Sequence, residues 1–201
     1  IAPSPFSGGQ CPRALFLSLG IKFMKPREKI QSAHEDAVIE QFLTWYNSKH
    51  GTEFKVFDKP QPPDALARDN DQVIWIEHAD IYRSWEEARE ERSAVTQGET
   101  QYDRLEHPII EPDKRTAAAF VTTINKKLSK SSYEKWYKKY GPGFLILTER
   151  DPLFDQSTWD CISEELDSFS FDNDKGYFKK VIFGYRSMRS LAFIEVKYQN
   201  S

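Results

Sequence analysis

The sequence predicts an α/β protein in which helices cover both faces of one mixed β-sheet. Two observations support this fold class. The order of segments is helix, three strands, helix, strand, helix and two strands, and such alternation is typical of layered α/β domains. The chain of 201 residues is 39% hydrophobic and 14% aromatic, which is enough to build one substantial core.

Three helices are predicted from apolar residues that recur at the helical period. The first spans Arg27–Asn47. The second spans Thr116–Tyr140, with Asp113 as its N-cap and Gly141–Gly143 as its stop signal. The third spans Ser157–Phe169. Each helix has an apolar stripe and therefore packs against the sheet on one side only.

Strands are predicted from short apolar runs that end at turn residues. The predicted strands are Phe54–Phe57, Pro62–Leu66, Val73–Tyr82, Phe144–Thr148, Val181–Tyr185 and Leu191–Tyr198. The polar segment Arg68–Asp71 is expected to close a hairpin between the second and third strands. The last two strands are expected to pair with each other.

The remaining segments set the domain boundaries. Residues 1–26 are rich in Pro and Gly and predict an irregular N-terminal arm, whereas residues 27–201 predict a single domain. Residues 84–113 are highly charged and predict an insertion, which is either a functional flap or a plain loop.

Composition excludes several classes of protein. The net charge of −3 argues against coating nucleic acid by bulk charge, although a local basic face is compatible with it. No apolar run approaches the roughly 20 residues that cross a bilayer. Two cysteines, Cys11 and Cys161, form no disulfide framework, and with four His they give no zinc spacing. A reducing, cytoplasmic setting is therefore expected.

Two carboxylates are the strongest functional signal. Asp64 follows Pro63 in the second strand, and Glu77 lies within the apolar run of the third. A hairpin sets the two residues on adjacent strands, where their negative charges repel unless a cation or a proton lies between them. Oxygen ligands of this kind suit Mg²⁺ or Mn²⁺.

The region from about Arg27 to about Thr148 resembles the restriction-endonuclease-like, or PD-(D/E)XK, nuclease superfamily. The resemblance rests on a helix, a strand with Pro-Asp, a strand ending apolar-apolar-Glu, a second helix and a strand. It implies an α/β/α sandwich with a central mixed sheet. It also implies Asp64 and Glu77 as metal ligands, with Glu35 or Glu40 of the first helix completing the site.

The chain departs from the family pattern at one position. Where the family has a lysine two residues after the strand glutamate, this chain has Ala79. In some members of the family the lysine comes from the following helix. Lys127 borders the buried stripe of that helix and is the first candidate, and Lys130 is the second. Lys126 falls on the other side and is expected to be solvated.

Other polar residues have simpler interpretations. Strand alternation sets His78 and Asp80 on the opposite face from Glu77, so we expect a hydrogen-bonded structural His and an Asp that faces water or an Arg. Glu195 and Lys197 match the family motif better than Glu77 does, but no helix or strand follows them. They are interpreted as the solvent face of an edge strand.

The second helix also carries most of the positive charge. Its lysines are interleaved with Tyr133, Trp136, Tyr137 and Tyr140, a pattern suited to a phosphate backbone and exposed bases. The candidate nucleic-acid-binding residues are Lys126, Lys130, Lys135, Lys138 and Lys139. A solvated helix face is the alternative interpretation.

These observations together predict a metal-dependent nuclease, with nucleic acid, DNA in the first instance, as substrate and no membrane partner. Two alternatives remain open at this point. Ala79 favours a catalytically inactive binding module on the same fold. The acidic total charge and the high aromatic content favour a protein-interaction domain.

Overall fold

The computed structural model describes residues 26–82, 111–149, 154–171, 175–187 and 190–196. The predicted arm lies outside this part of the chain except for Pro26, and so does the predicted insertion from residue 84 to residue 110. Cys11 and Lys197 also lie outside it. Among the described helices, none combines the length and the apolar character needed to cross a membrane.

Within the described residues, the sheet has six strands in the order β1-β2-β3-β4-β5-β6. Pairing is parallel at β3–β4 and β4–β5 and antiparallel at the other three junctions. The strands are β1 Lys55–Asp58, β2 Ala65–Asp69, β3 Gln72–Ile81, β4 Gly143–Glu149, β5 Phe178–Ser187 and β6 Ser190–Val196. The sheet is therefore mixed, and β5 pairs with β6 as predicted.

In the described part of the chain, four α-helices accompany the sheet. They are α1 Pro26–His50, α2 Pro112–Leu128, α3 Glu134–Tyr140 and α4 Gln156–Ser168. α1 and α4 lie within a few residues of their predicted bounds. α2 and α3 replace the single long helix that was predicted between Thr116 and Tyr140.

The break between α2 and α3 has a packing cause. Lys130 has an extended backbone, and the chain then forms a short 3-10 turn over Ser131–Tyr133. This turn buries Tyr133 completely, against Trp75 and Phe178. Burial of a large aromatic ring contributes more than the backbone hydrogen bonds lost at the break, so tertiary packing overrides the local helical pattern.

The predicted N-cap of α2 is also wrong. The helix begins at Pro112 and is preceded by Glu111 in a left-handed conformation, with φ of 52°. Proline suits the first helical position because its missing N–H would have no partner there. Asp113 accepts hydrogen bonds from Ser157 and Thr158 hydroxyls at 3.0 and 2.6 Å, so it joins α2 to α4 instead of capping α2.

The core is divided between the two faces of the sheet. α1 packs Val38, Ile39 and Phe42 against one face. α2 and α4 cover the other, where Phe120 and Ile162 belong to the larger cluster. Because side chains alternate along a strand, odd-numbered residues of β3 face α2 and even-numbered ones face α1.

The β2–β3 hairpin leaves one edge of β3 open. β2 begins at Ala65, three residues later than predicted, because prolines at positions 62 and 63 have no N–H for a strand ladder. Its last pair is Ala65 with Ile76, and Asn70 and Asp71 form the turn. In the described chain, residues 77–81 of β3 therefore pair only with β4.

Candidate active site

An open cavity of about 300 Å³ lies at this free edge of β3. α1 contributes Gln31 and Glu35, and α2 contributes Lys127. The floor is formed by Asp64 and by β3 from Glu77 to Asp80. The cavity thus collects polar groups from three elements that are far apart in the sequence.

Asp64 and Glu77 both line this cavity, as the hairpin predicted. Asp64 directly precedes β2, so the last β2–β3 pair leaves it beside Glu77. The backbone N–H of His78 donates to Asp64 Oδ2 at 2.7 Å, which holds the carboxylate against the open edge of β3. Burial, and after it the negative charge of Glu77, raises the pKa of Asp64 to about 7. The negative charges of the two carboxylates therefore repel each other across the cavity.

Glu77 is 4% exposed, and its two carboxylate oxygens differ in their hydrogen-bond partners. Its Oε1 accepts hydrogen bonds from Lys127 Nζ at 2.5 Å and from the Tyr133 hydroxyl at 2.8 Å. Its Oε2 is buried and has no hydrogen-bond partner among the described residues. A buried acceptor without a partner costs about 1–3 kcal/mol, so this oxygen is an available ligand for a cation.

Lys127 occupies the position predicted for the displaced lysine. It extends from α2 to Glu77, and its Nζ also lies 3.3 Å from the carbonyl oxygen of His78. Its side chain is only 17% exposed, so the ammonium is directed inward. Lys126 is exposed, as predicted. Lys130 is exposed, lies beyond the end of α2 and does not line the cavity, so its candidacy is not supported.

Of the two candidate glutamates on α1, only Glu35 lines the cavity. Glu35 is half-buried, lines the cavity and accepts a hydrogen bond from Gln31 at 2.9 Å. Its negative charge also contributes to the raised pKa of Asp64. Glu40 is exposed and does not line the cavity, because it lies more than one helical turn farther along α1. Glu40 is therefore a wrong choice as a ligand at this cavity.

The α1 face of β3 carries a second polar group. Asp80 accepts a hydrogen bond from Thr148 at 2.7 Å, and its Oδ1 lies 3.0 Å from His34 Nε2. Asp80 is half-buried and lines the open cavity, and the prediction that it faces water or an Arg did not include its contacts with His34 and Thr148. His78 is buried, and its Nε2 lies 2.7 Å from the Thr148 hydroxyl, which confirms the predicted hydrogen-bonded His.

Sequence reasoning missed two residues near the cavity, His34 and Tyr133. His34 lies next to Glu35 on α1, and no local pattern distinguishes it from the other polar residues of that helix. Tyr133 was expected among the exposed aromatic residues of a basic helix. It is instead fully buried and donates to Glu77, so it is not available to stack on a base.

The basic surface beyond α2 is only partly as predicted. All five candidate lysines are exposed: Lys126, Lys130, Lys135, Lys138 and Lys139. Trp136 is engaged internally, since its indole N–H donates to the carbonyl oxygen of Pro62 and its ring stacks on Tyr140. Tyr137 remains 40% exposed. Its ring also packs against Tyr177, so the surface offers several cations and one partly exposed ring.

The donor set of the cavity fits a divalent metal ion. Asp64, Glu77 and Glu35 offer carboxylate oxygens, and Glu77 Oε2 lacks a partner. Hard ions such as Mg²⁺ and Mn²⁺ prefer these oxygens. A bound cation would also relieve the repulsion that raises the pKa of Asp64. Comparison with protein-family models, curated proteins and solved structures found no match for this chain.

The raised pKa of Asp64 predicts how stability depends on pH without metal. Because the folded-state value is about 7 and the ordinary value is 3.8, ionised Asp64 destabilises the fold increasingly between these pH values and fully above pH 7. Asp64→Asn should therefore raise the free energy of unfolding at pH 8, by at most about 4 kcal/mol, and by less at pH 5. Denaturant unfolding in a chelator measures this difference.

Asp71→Asn is the matched control, since Asp71 is exposed in the turn of the same hairpin. It should change stability little at either pH. An equal effect of Asp64→Asn at pH 5 and pH 8 would contradict the electrostatic explanation.

Proposed function

We propose that this chain is a metal-dependent nuclease of the restriction-endonuclease-like fold, which hydrolyses phosphodiester bonds of nucleic acid with Mg²⁺ or Mn²⁺. One observation carries the proposal: Lys127 contacts Glu77 in a cavity that also holds Asp64, while Glu77 Oε2 has no partner among the described residues. A cation beside two carboxylates at an open sheet edge is the arrangement that this chemistry requires.

The order and pairing of the elements support the proposed fold. α1 precedes the β2–β3 hairpin, α2 follows it, and β4 pairs in parallel with β3. This is the order that the resemblance implies between about Arg27 and Thr148. α1 lies on one face of the sheet, and α2 and α4 lie on the other.

Asp64, Glu77 and Glu35 would hold the metal. When bound, the ion would lower the pKa of a water molecule and neutralise charge that develops on the phosphate. The protein's own part is to keep the carboxylates in place before the substrate arrives. The His78 N–H fixes Asp64, and the Tyr133 hydroxyl fixes Glu77.

Tyr133 acts as a permanent donor in this arrangement. Burial raises the pKa of Tyr133 well above its ordinary value, and the negative charge of Glu77 raises it further. The hydroxyl therefore keeps its proton throughout the neutral pH range. It positions Glu77 and does not act as a base.

Lys127 would supply the fixed positive charge that Ala79 cannot. Charge builds on the phosphate in the transition state, and a preorganised cation in a partly buried site stabilises it. The ammonium is already held at the cavity by Glu77 and by the carbonyl oxygen of His78. Little reorganisation is therefore needed when the substrate binds.

The exposed lysines favour nucleic acid as the substrate, and DNA is the first choice to test. Lys126 and Lys130 flank the end of α2, next to the residue that enters the cavity. Contacts between lysines and phosphates release counterions, so binding should weaken steeply as salt is raised.

The deciding experiment is a cleavage assay on the purified chain. Single- and double-stranded DNA and RNA are incubated with Mg²⁺, with Mn²⁺ and with a chelator. We expect cleavage of at least one substrate that depends on the metal and stops in the chelator. Salt-dependent binding of DNA without cleavage of any substrate would instead support the inactive binding module that Ala79 favours.

A further inference from the structure

Three potential metal ligands meet on the other face of β3. Asp80 Oδ1 lies 3.0 Å from His34 Nε2 and 3.5 Å from His78 Nε2. One ligand atom from each residue lies within 4.8 Å of the other two. We infer that His34, His78 and Asp80 form a second metal site, which takes a borderline divalent ion such as Zn²⁺.

The distances suit such an ion. With metal–ligand bonds of about 2.0–2.1 Å, the ligand atoms of a tetrahedral zinc site lie roughly 3.3 Å apart. The two measured separations, 3.0 and 3.5 Å, lie on either side of this value. His34 is 27% exposed, which leaves its ring room to adjust when an ion enters.

The ligand types separate this site from the carboxylate site. Imidazole nitrogens bind Zn²⁺, Co²⁺ and Ni²⁺ well, whereas Mg²⁺ prefers oxygen ligands. Asp80 supplies one negative charge and the two histidines are neutral ligands. Two imidazoles and one carboxylate are a common set for zinc, with a further position left to water.

In the metal-free protein, the Thr148 hydroxyl contacts two of the atoms that would bind the ion. Its hydroxyl donates to Asp80 Oδ1 and lies 2.7 Å from His78 Nε2. For His78 to ligate through Nε2, that nitrogen must carry no proton and must leave Thr148. The Thr148 hydroxyl can keep its hydrogen bond to Asp80, and it would then hold the Asp80 carboxylate in its orientation as a ligand.

The second site does not depend on the proposed nuclease function. Glu77, His78 and Asp80 all line the open cavity, but strand alternation directs His78 and Asp80 to the α1 face of β3 and Glu77 to the α2 face. Only α1 brings His34 to the cluster, so a bound ion would tie this helix to the sheet. Binding should therefore also raise the unfolding temperature.

The test is a titration of the full metal-free chain with Co²⁺ and with Zn²⁺. Co²⁺ is followed by its visible absorption and Zn²⁺ by its competition with Co²⁺. We expect one ion to bind and His34→Ala to weaken binding by more than about 100-fold, since loss of an outer partner alone costs 10–100-fold. His50→Ala is the matched control, because His50 is exposed on the same helix.

Further variants make the result decisive. Asp64→Asn and Glu77→Gln should leave this binding unchanged, whereas Asp80→Asn should weaken it. Thermal unfolding in a chelator checks that each variant folds. The inference is overturned if His34→Ala binds Co²⁺ as the unchanged chain does, or if only the Asp64 and Glu77 variants lose binding.

Discussion

Glu77→Gln should abolish metal-dependent cleavage of nucleic acid, with a loss of at least about 10³-fold, because charge stabilisation by a bound metal is worth several kcal/mol. The substitution keeps the shape of the side chain and leaves an acceptor for the Tyr133 hydroxyl. It removes the negative charge and, with it, the buried oxygen that has no partner. Cleavage rates and Mg²⁺ binding by calorimetry measure the two effects.

The same substitution leaves Lys127 without its carboxylate partner in a mostly buried position. Breaking a buried ion pair costs about 3–5 kcal/mol, so the unfolding temperature of the variant must be measured beside its activity. Asp64→Asn gives a second version of the test, because it removes a ligand charge and is expected to stabilise the metal-free fold. Loss of activity in a variant that folds more stably cannot be attributed to unfolding.

Glu195→Gln is the matched control. Glu195 lies on the edge strand β6, where it is exposed and pairs with Lys180 at 2.7 Å. It belongs to the segment that matches the family motif better than Glu77 does, so its substitution also tests that alternative. Full activity in Glu77→Gln, or loss of activity in Glu195→Gln, would contradict the assigned site.

Lys127→Met should slow cleavage by about 10²–10³-fold, the usual effect of removing one preorganised electrostatic group. Methionine keeps most of the length and apolar surface of the stem but lacks the charge. The fall should appear in kcat more than in KM, since the cation acts on charge that develops in the transition state. Single-turnover kinetics at saturating metal measure it.

Metal binding distinguishes the role of Lys127 from that of the carboxylates. Lys127→Met should bind Mg²⁺ at least as tightly as the unchanged chain, because a positive charge beside Glu77 has been removed. Lys55→Met is the control and should keep its rate, because Lys55 is exposed on β1 and does not line the cavity. An unchanged rate in Lys127→Met would exclude this lysine from the chemistry.

The elements of the fold were largely determined by local sequence pattern. α1, α4, β3 and β4 lie close to their predicted bounds, because an apolar period and a turn or stop residue are properties of a short segment. The presence of Asp64 and Glu77 in one cavity followed from the same kind of information, since a hairpin joins residues that are near in sequence. His78, with its hydrogen bond, followed from strand alternation.

Only the tertiary structure decided which members of each candidate set meet. The sequence left Glu35 and Glu40 as alternatives, and only the packing of α1 on the sheet shows that Glu35 lines the cavity. The helical period ranked Lys127 before Lys130. The contact of Lys127 with Glu77, however, joins residues 50 positions apart and depends on how α2 crosses the sheet.

Packing between distant elements also explains why the sequence did not reveal the roles of two residues. Tyr133 reaches Glu77 because its ring is buried against Trp75 and ends the helix early, a packing effect that no local pattern carries. His34 meets Asp80 across 46 positions of the chain, because α1 packs on the even-numbered face of β3. Sequence determined the elements and their faces, whereas packing between distant elements determined the contacts that make a site.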